Sequence, residues 1–242
     1  MSSGAARAKS PARGSNPRRP PAGRRASGPA RRKRDPEGMQ RKILDAATAE
    51  FADHGYGGAR VERISRRART VDRMLYYYFG SKEALFRAVL EAAYERLGRA
   101  EQQLSLASIP PREAMRQLIA FTWNYYCAHP DFIRLLNSEN QQRGQHVRKS
   151  SRVSQLSSPL LTILRDLLER GAEHGEFRRG IDPVEIYITI AALGYFYLSN
   201  RYTLSRFLDR DLMAEDQRGA WLTHITEVVM GHVSAKDDVE HS

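Results

Sequence analysis

The chain has almost no cysteine, no acid in its first 34 residues and no apolar run long enough to cross a bilayer. Each absence removes a class of protein. Cys127 is the single cysteine among 242 residues, so no intrachain disulfide can form and a reducing cytoplasmic setting fits. Inside an aromatic-rich helix that thiol reads as a small core filler rather than a nucleophile. The longest apolar run, Ile186 to Leu198, is broken by Thr189, Gly194 and several tyrosines and is too short to span a membrane. The N-terminus lacks the apolar core of a secretory signal. His54, His129, His146, His174, His224, His232 and His241 show no metal spacing, such as two histidines one turn apart flanking a glutamate. With no Gly-rich phosphate loop and no nucleophile elbow either, the chain does not read as an enzyme, and no metal or cofactor is implied.

What is present begins with charge. The net charge is +11 and the pI about 10.0. Residues 1–34 hold eleven Lys and Arg and no Asp or Glu, so this stretch alone equals the whole net charge. The remaining 208 residues balance 28 basic against 28 acidic side chains, as an ordinary globular chain does. The basic stretch is rich in Pro, Gly, Ala and Ser, has no aromatic residue and no apolar period. It cannot bury enough surface to offset its ordering entropy, so residues 1–34 are expected to be a disordered basic arm. Its charge would draw it to phosphates or an anionic membrane surface regardless of sequence. The plain alternatives are a solvated tail, or a start codon placed too early, Met39 offering an internal start.

From Asp35 onward the periodicity is helical nearly throughout, which predicts an all-α protein. Asp35 and Pro36 open a first helix in which Ile43, Leu44, Ala47 and Phe51 recur at helical spacing until Gly55. Val61, Ile64, Ser65 and Ala68 make the buried stripe of a short second helix. A third runs from about Val71 to Tyr78, with Gly80 ending it. Only two or three residues separate the second from the third, the helix-turn-helix spacing in which one helix braces on the DNA backbone and the next enters the major groove. Ser81 caps a fourth helix with a long stripe of Leu85, Phe86, Val89, Leu90, Ala93 and Leu97.

Residues 40–95 resemble the N-terminal domain of the TetR family of bacterial transcriptional regulators. The resemblance is carried by Ile43, Leu44, Ala46, Ala47, Phe51, Gly55, Tyr56, Gly58, Val61, Ile64, Ala68, Leu75, Tyr76, Tyr77, Phe79, Ser81, Lys82, Glu83, Leu85 and Val89, and above all by the stretch LYYYFGSKEALF. It implies that the third helix lies in the major groove, with Asp72, Arg73 and Tyr76 toward base edges and Tyr77 and Lys82 toward phosphates. Thr70 and Val71 belong to the same DNA-binding set. Chemistry supports parts of this independently: a guanidinium such as that of Arg73 can bond two acceptors of guanine, and Lys82 stands in the first turn of a helix, where free N–H groups also favour a phosphate. Arg60 and Arg66 are expected as phosphate contacts, and Arg63 and Arg67 as a solvated charged face. At least one of Tyr76, Tyr77 and Tyr78 is expected to pack between helices.

The chain departs from the family at the turn. Where the pattern commonly has Gly, an apolar residue and Ser, here stand Arg69, Thr70 and Val71. Valine cannot cap a helix and threonine can, so the third helix is expected to start one residue early, capped by Thr70, with Asp72 in its first turn. Asp72, being acidic, would then orient arginines or read cytosine rather than touch phosphate.

Residues 98–236 read as a second helical domain, followed by a tail at 237–242. Pro110 and Pro111 open a helix through Met115, Leu118, Phe121, Thr122 and Tyr125, which His129 and Pro130 stop; another starts at Asp131. Residues 141–157, polar and basic, read as a loop or mobile helix end. Pro159 begins a helix that buries Leu160, Leu161, Leu164, Leu167 and Leu168. Asp182, Pro183 and Glu185 start another, through Ile186, Ile190, Leu193 and Tyr197, and Trp221 to Val229 lie in the last. Gly194 is expected to let these last two long helices approach closely. The family resemblance implies that they build a homodimer, and that the other helices enclose a site for an unknown small-molecule effector. Candidates to line it are Trp123, Tyr126, Asn137, Asn140, Tyr187 and Tyr195. The reading that follows is an N-terminal helix-turn-helix domain (35–97) joined by a long fourth helix to an effector-binding and dimerisation domain. It describes a repressor on a double-stranded palindromic operator, released by effector, with no membrane partner. The alternative is an architectural nucleic-acid binder working through the arm without sequence preference.

Overall fold

The computed structural model describes residues 35–155 and 159–235; the basic arm and the C-terminal tail lie outside the described residues. Within them the chain is all-α, with eleven α-helices, one 3₁₀ turn and no strand. The first four are α1 (Pro36–Gly58), α2 (Val61–Arg67), α3 (Asp72–Phe79) and α4 (Lys82–Gln102). They are followed by α5 (Pro111–Ala128), α6 (Pro130–Gln141), a 3₁₀ turn (Val147–Lys149), α7 (Ser151–Gln155) and α8 (Pro159–Glu173). The last are α9 (Pro183–Ser199), α10 (Arg201–Leu208) and α11 (Glu215–Val233). Five of these helices open on proline, whose fixed φ suits the first turn and whose missing N–H costs nothing there. No helix among the described residues is long and apolar enough to cross a membrane.

The periodic stripes are the buried faces. Ile43, Phe51, Ile64, Leu75, Leu85 and Phe86 are wholly enclosed where α1 to α4 meet, and Met115, Leu118 and Leu164 where α5 meets α8 and α9. Gly55, at φ 65° and ψ 173°, breaks the end of α1 in a conformation essentially open only to glycine. Beyond it Tyr56 donates its backbone N–H to Ser138 Oγ at 2.8 Å, tying α1 to α6. Gly171, inside α8, is needed for close approach: a Cβ there would lie 2.0 Å from the Phe177 ring.

Several expectations are corrected. Thr70 does not cap α3; Val71 occupies that position, with no side-chain bond. The reason lies in the end of α2. Arg69 adopts the left-handed conformation (φ 55°), its N–H reaches Arg66 O at 3.1 Å, and Thr70 N–H reaches Ser65 O at 2.9 Å. This paired closure is a Schellman motif, and it commits Thr70 to finishing one helix rather than starting the next. Ser81, by contrast, caps α4 as expected, accepting Ala84 N–H at 3.0 Å, and Asp182 caps α9 through Val184 N–H at 2.8 Å.

Residues 141–155 are not a bare loop. Buried Glu139 accepts the backbone N–H groups of His146 and Val147 at 2.8 and 2.9 Å and meets His146 Nδ1 at 2.6 Å. The buried His146 ring packs 4.5 Å from Tyr56 and 4.9 Å from Phe86, so a polar-looking segment is anchored from within by Glu139, while Glu83 and Glu91 of α4 bond its Lys149 and Ser150. Gly194 faces α5 rather than α11: a Cβ there would meet Tyr126 at 3.2 Å. The last two long helices meet instead through Trp221, which stacks on Tyr197 at 4.8 Å and donates Nε1–H to Leu193 O at 3.3 Å. The sequence reading also missed α10, whose single short turn pair offers too little periodicity to detect.

Candidate DNA interface

The recognition unit is set by one buried carboxylate. Glu50, on α1, accepts the backbone N–H of Arg60 at 3.0 Å and Arg63 Nε at 2.6 Å, and Arg63 also donates to Gly58 O at 2.7 Å. Burial would raise the Glu50 carboxyl, but the bond from Arg60 and the bond and charge of Arg63 outweigh it and hold the pKa below its ordinary value. Arg63 is therefore a strut fixing the start of α2, not a solvated charge. Glu50 was not legible as a site residue, because an acid on an amphipathic helix reads as surface until its partners are placed.

On α3 only Leu75 is buried, and it pins the helix to the core. Asp72 is half-buried, Arg73 is exposed, and Tyr76 and Tyr77 are 48% and 77% exposed. Tyr78 is the inward member of the tyrosine run, half-buried against the core and edge-on to Tyr77 at 5.1 Å. Val71, 64% exposed, stands at the leading end of the helix, with Thr70 half-buried behind it. Arg60, the N-cap of α2, and Arg66, in its last turn, are exposed and form no ion pair among the described residues. Lys82, half-buried at the start of α4, holds its Nζ 4.9 Å from the Tyr56 ring centroid. Burial first, then the charge of Arg60, lowers its pKa. Two large aromatic side chains left in water, on a unit that also carries Arg60, Arg66, Arg73 and Lys82, form a surface suited to a polyanion with flat, stacked interior groups.

In the second half, Trp123 and Tyr126 are buried: Trp123 meets Tyr197 edge-on at 5.4 Å and Tyr126 stacks near Phe132 at 6.0 Å. Half-buried Tyr195 donates its hydroxyl to Asn137 Oδ1 and accepts from exposed Asn140 Nδ2 at 3.5 Å, linking α9 to α6. Half-buried Tyr187 lies close enough to act electrostatically on Tyr126 and on Tyr94 of α4. Burial, followed by Tyr187, pushes Tyr94 up to about 12. Tyr94 was missed from the sequence because it falls on the flank of a stripe that reads as core.

The comparisons agree with this geometry. The family model described as "Bacterial regulatory proteins, tetR family" matches residues 43–89, and "Tetracyclin repressor-like, C-terminal domain" matches 111–229. The "HTH-type transcriptional repressor NicS" of Pseudomonas putida is 45% identical over 188 residues, covering 78% of this chain and 89% of its own. The "HTH-type transcriptional repressor SCO4008" of Streptomyces coelicolor is 39% identical over 113 residues, 46% of this chain and 54% of its own. Among solved structures, the fatty acid degradation regulator FadR from Bacillus halodurans shares the fold, with a TM-score of 0.62 at 20% identity over 87% of this chain and 100% of that one. With both halves matched in order, and with a helix-turn-helix exposing the side chains such a domain needs, the chain belongs to the TetR family of bacterial transcriptional regulators.

Proposed function

We propose that this protein is a transcriptional repressor that binds a palindromic operator as a homodimer and leaves it when a small molecule enters its second half. Residues 35–97 serve as the reading head and 98–236 as the effector and dimerisation half. The observation that carries the reading is α3: a helix held to the core by buried Leu75, with Met74, Tyr78 and Phe79 packed beside it, and presenting Arg73, Tyr76 and Tyr77 to solvent. Arg73 and Tyr76 read base edges, with Asp72 and Val71 at the leading end. Tyr77, Lys82, Arg60, Arg66 and Thr70 meet the backbone. The two relatives named above are repressors, which supports repression over activation.

Dimerisation fits a second exposed feature. Val184, Ile188 and Phe196 recur every fourth or eighth residue along α9 and stay exposed, as does Val228 on α11. A single α3 reads too few bases, and two-fold pairing supplies a second half-site one turn of DNA, or a multiple, away. The effector would contact Trp123, Tyr126, Asn137, Asn140, Tyr187 and Tyr195. The bond network from Tyr195 to Asn137 and Asn140 spans α6 and α9, so a ligand competing for it would shift α6, which packs on α1. Tilting α4 with it would change the separation of the two heads, and a coupling of about 1–3 kcal/mol would lower operator affinity about 5–150-fold.

Selection of bound fragments from random and genomic DNA tests the reading. An inverted repeat with the stated half-site spacing is expected, and absence of any enriched sequence refutes it. Arg73→Ala should relax discrimination at one base pair per half-site by about 1–3 kcal/mol, whereas equal losses on selected and random duplexes would remove Arg73 from base reading.

A further inference from the structure

We propose that the cleft between α1 and the α2–α3 turn is a second phosphate clamp, in which Lys42, Arg67 and Arg69 grip the DNA backbone beside the recognition helix. The proposal rests on the reading of α3 as the helix that enters the groove. The cleft has a volume of about 480 Å³, with Met39 and Ala68 among its apolar lining and Lys42, Arg67 and Arg69 around it against one acid, Asp45. All three cations are exposed, and none forms an ion pair among the described residues, Asp45 included.

Arg69 is the informative member. It occupies the left-handed conformation, φ 55°, that glycine adopts without strain. The turn itself has no use for its side chain, since both closing bonds, Arg69 N–H to Arg66 O and Thr70 N–H to Ser65 O, are made by the backbone. A glycine would complete the same motif at lower conformational cost. A long cation at a strained position that the fold does not need it to fill is the pattern expected of a side chain with a binding role. Its place specifies the ligand. Arg69 lies two residues ahead of Val71, the N-cap of α3, and in helix-turn-helix docking that end of the recognition helix points at base edges with the sugar-phosphate strand alongside. Cations at this turn therefore meet phosphodiesters, and Lys42 reaches the same strand from α1.

The test uses the full-length chain, a selected operator duplex and a random-sequence duplex of equal length, titrated between 50 and 200 mM salt. For Arg69→Gly we expect about 3–10-fold weaker binding to both duplexes, and a plot of log affinity against log salt shallower by about 0.9. The same substitution should raise the Tm by about 2–4 °C as the strain is removed, so lost binding cannot be lost folding. Arg69→Lys should keep the wild-type slope. Lys42→Ala and Arg67→Ala, which leave the turn untouched, should each shallow it by a similar step. Wild-type affinity and slope in Arg69→Gly, or a loss confined to the selected duplex, would overturn the clamp. A wild-type chain that bound both duplexes equally would defeat the operator reading alone, because the clamp is still read on random DNA.

Discussion

Glu50 shows how much one side chain can organise: its carboxylate fixes the N–H of Arg60, the N-cap of α2, holds Arg63, and sits 7% exposed in the core of the head. Glu50→Ala should cost about 2–3 kcal/mol in chemical denaturation, the range for hydrogen bonds to a buried charged group. The pH dependence follows from the direction of its shift. A carboxyl whose folded pKa lies below the ordinary 4.5 stabilises the fold above that value, and the contribution is lost as pH falls through the lowered folded value. The acid limb of a stability-against-pH curve should therefore flatten in Glu50→Gln; an unchanged limb would mean the carboxylate is not held as described. Lys82 works in the opposite sense. Its pKa is lowered by burial and by Arg60, so its charge is lost earlier as pH rises, and a bound phosphate would favour the charged form. DNA affinity measured by anisotropy should weaken at a lower pH in the wild type than in Lys82→Arg. Coincident curves would take Lys82 out of the interface. The exposure of Arg73 and Tyr77 was legible from sequence because the outward face of a short helix is a local property. Glu50 and His146 were not, because each acquires meaning only from partners brought in by other helices.

Among the elements, the junction of α2 and α3 and the end of α8 carry the sharpest constraints. The sequence marked the junction as unusual from Arg69, Thr70 and Val71, yet assigned the cap to the wrong residue. Capping preference is a property of one residue, whereas the Schellman closure is a property of six, and here the closure decides. At α8, Gly171 lies within the last turn of the helix, buried beneath Phe177. Gly171→Ala should destabilise the protein by about 3 kcal/mol, in the upper range for overpacking, because the obstacle is a buried ring rather than a mobile side-chain tip. A melting temperature unchanged from wild type would show that Phe177 can move aside. Five proline-opened helices were readable almost to the residue, since proline restricts its own backbone wherever the chain goes.

At the scale of the whole molecule, the large exposed apolar side chains among the described residues fall in two groups. Val71, Tyr76 and Tyr77 mark one; Val184, Ile188, Phe196, Tyr202, Phe207, Leu208, Met213 and Val228 mark the other, on α9, α10, α11 and the chain between them. Surface apolar residues gathered this way are the usual sign of a face meant to be covered. Ile188→Asp together with Phe196→Asp should yield a monomer in sedimentation at micromolar concentration, folded by circular dichroism, with much weaker binding to the selected operator and nearly unchanged binding to random duplex. A dimer of wild-type strength in that variant would move the interface elsewhere. The sequence suggested the helices involved through the family resemblance, but not which of their faces remains exposed.

By itself the sequence determined the helical class, the helix-turn-helix spacing, the buried stripes and the outward chemistry of α3. Those properties depend on period and residue type over a few turns, and tertiary contacts did not reverse them. Only the tertiary structure decided that Arg63 is a strut, that residues 141–155 are anchored by Glu139, that Gly194 faces α5, and that Arg69 is held left-handed. Each of these depends on which distant helix supplies the neighbour, and neither periodicity nor composition encodes that choice.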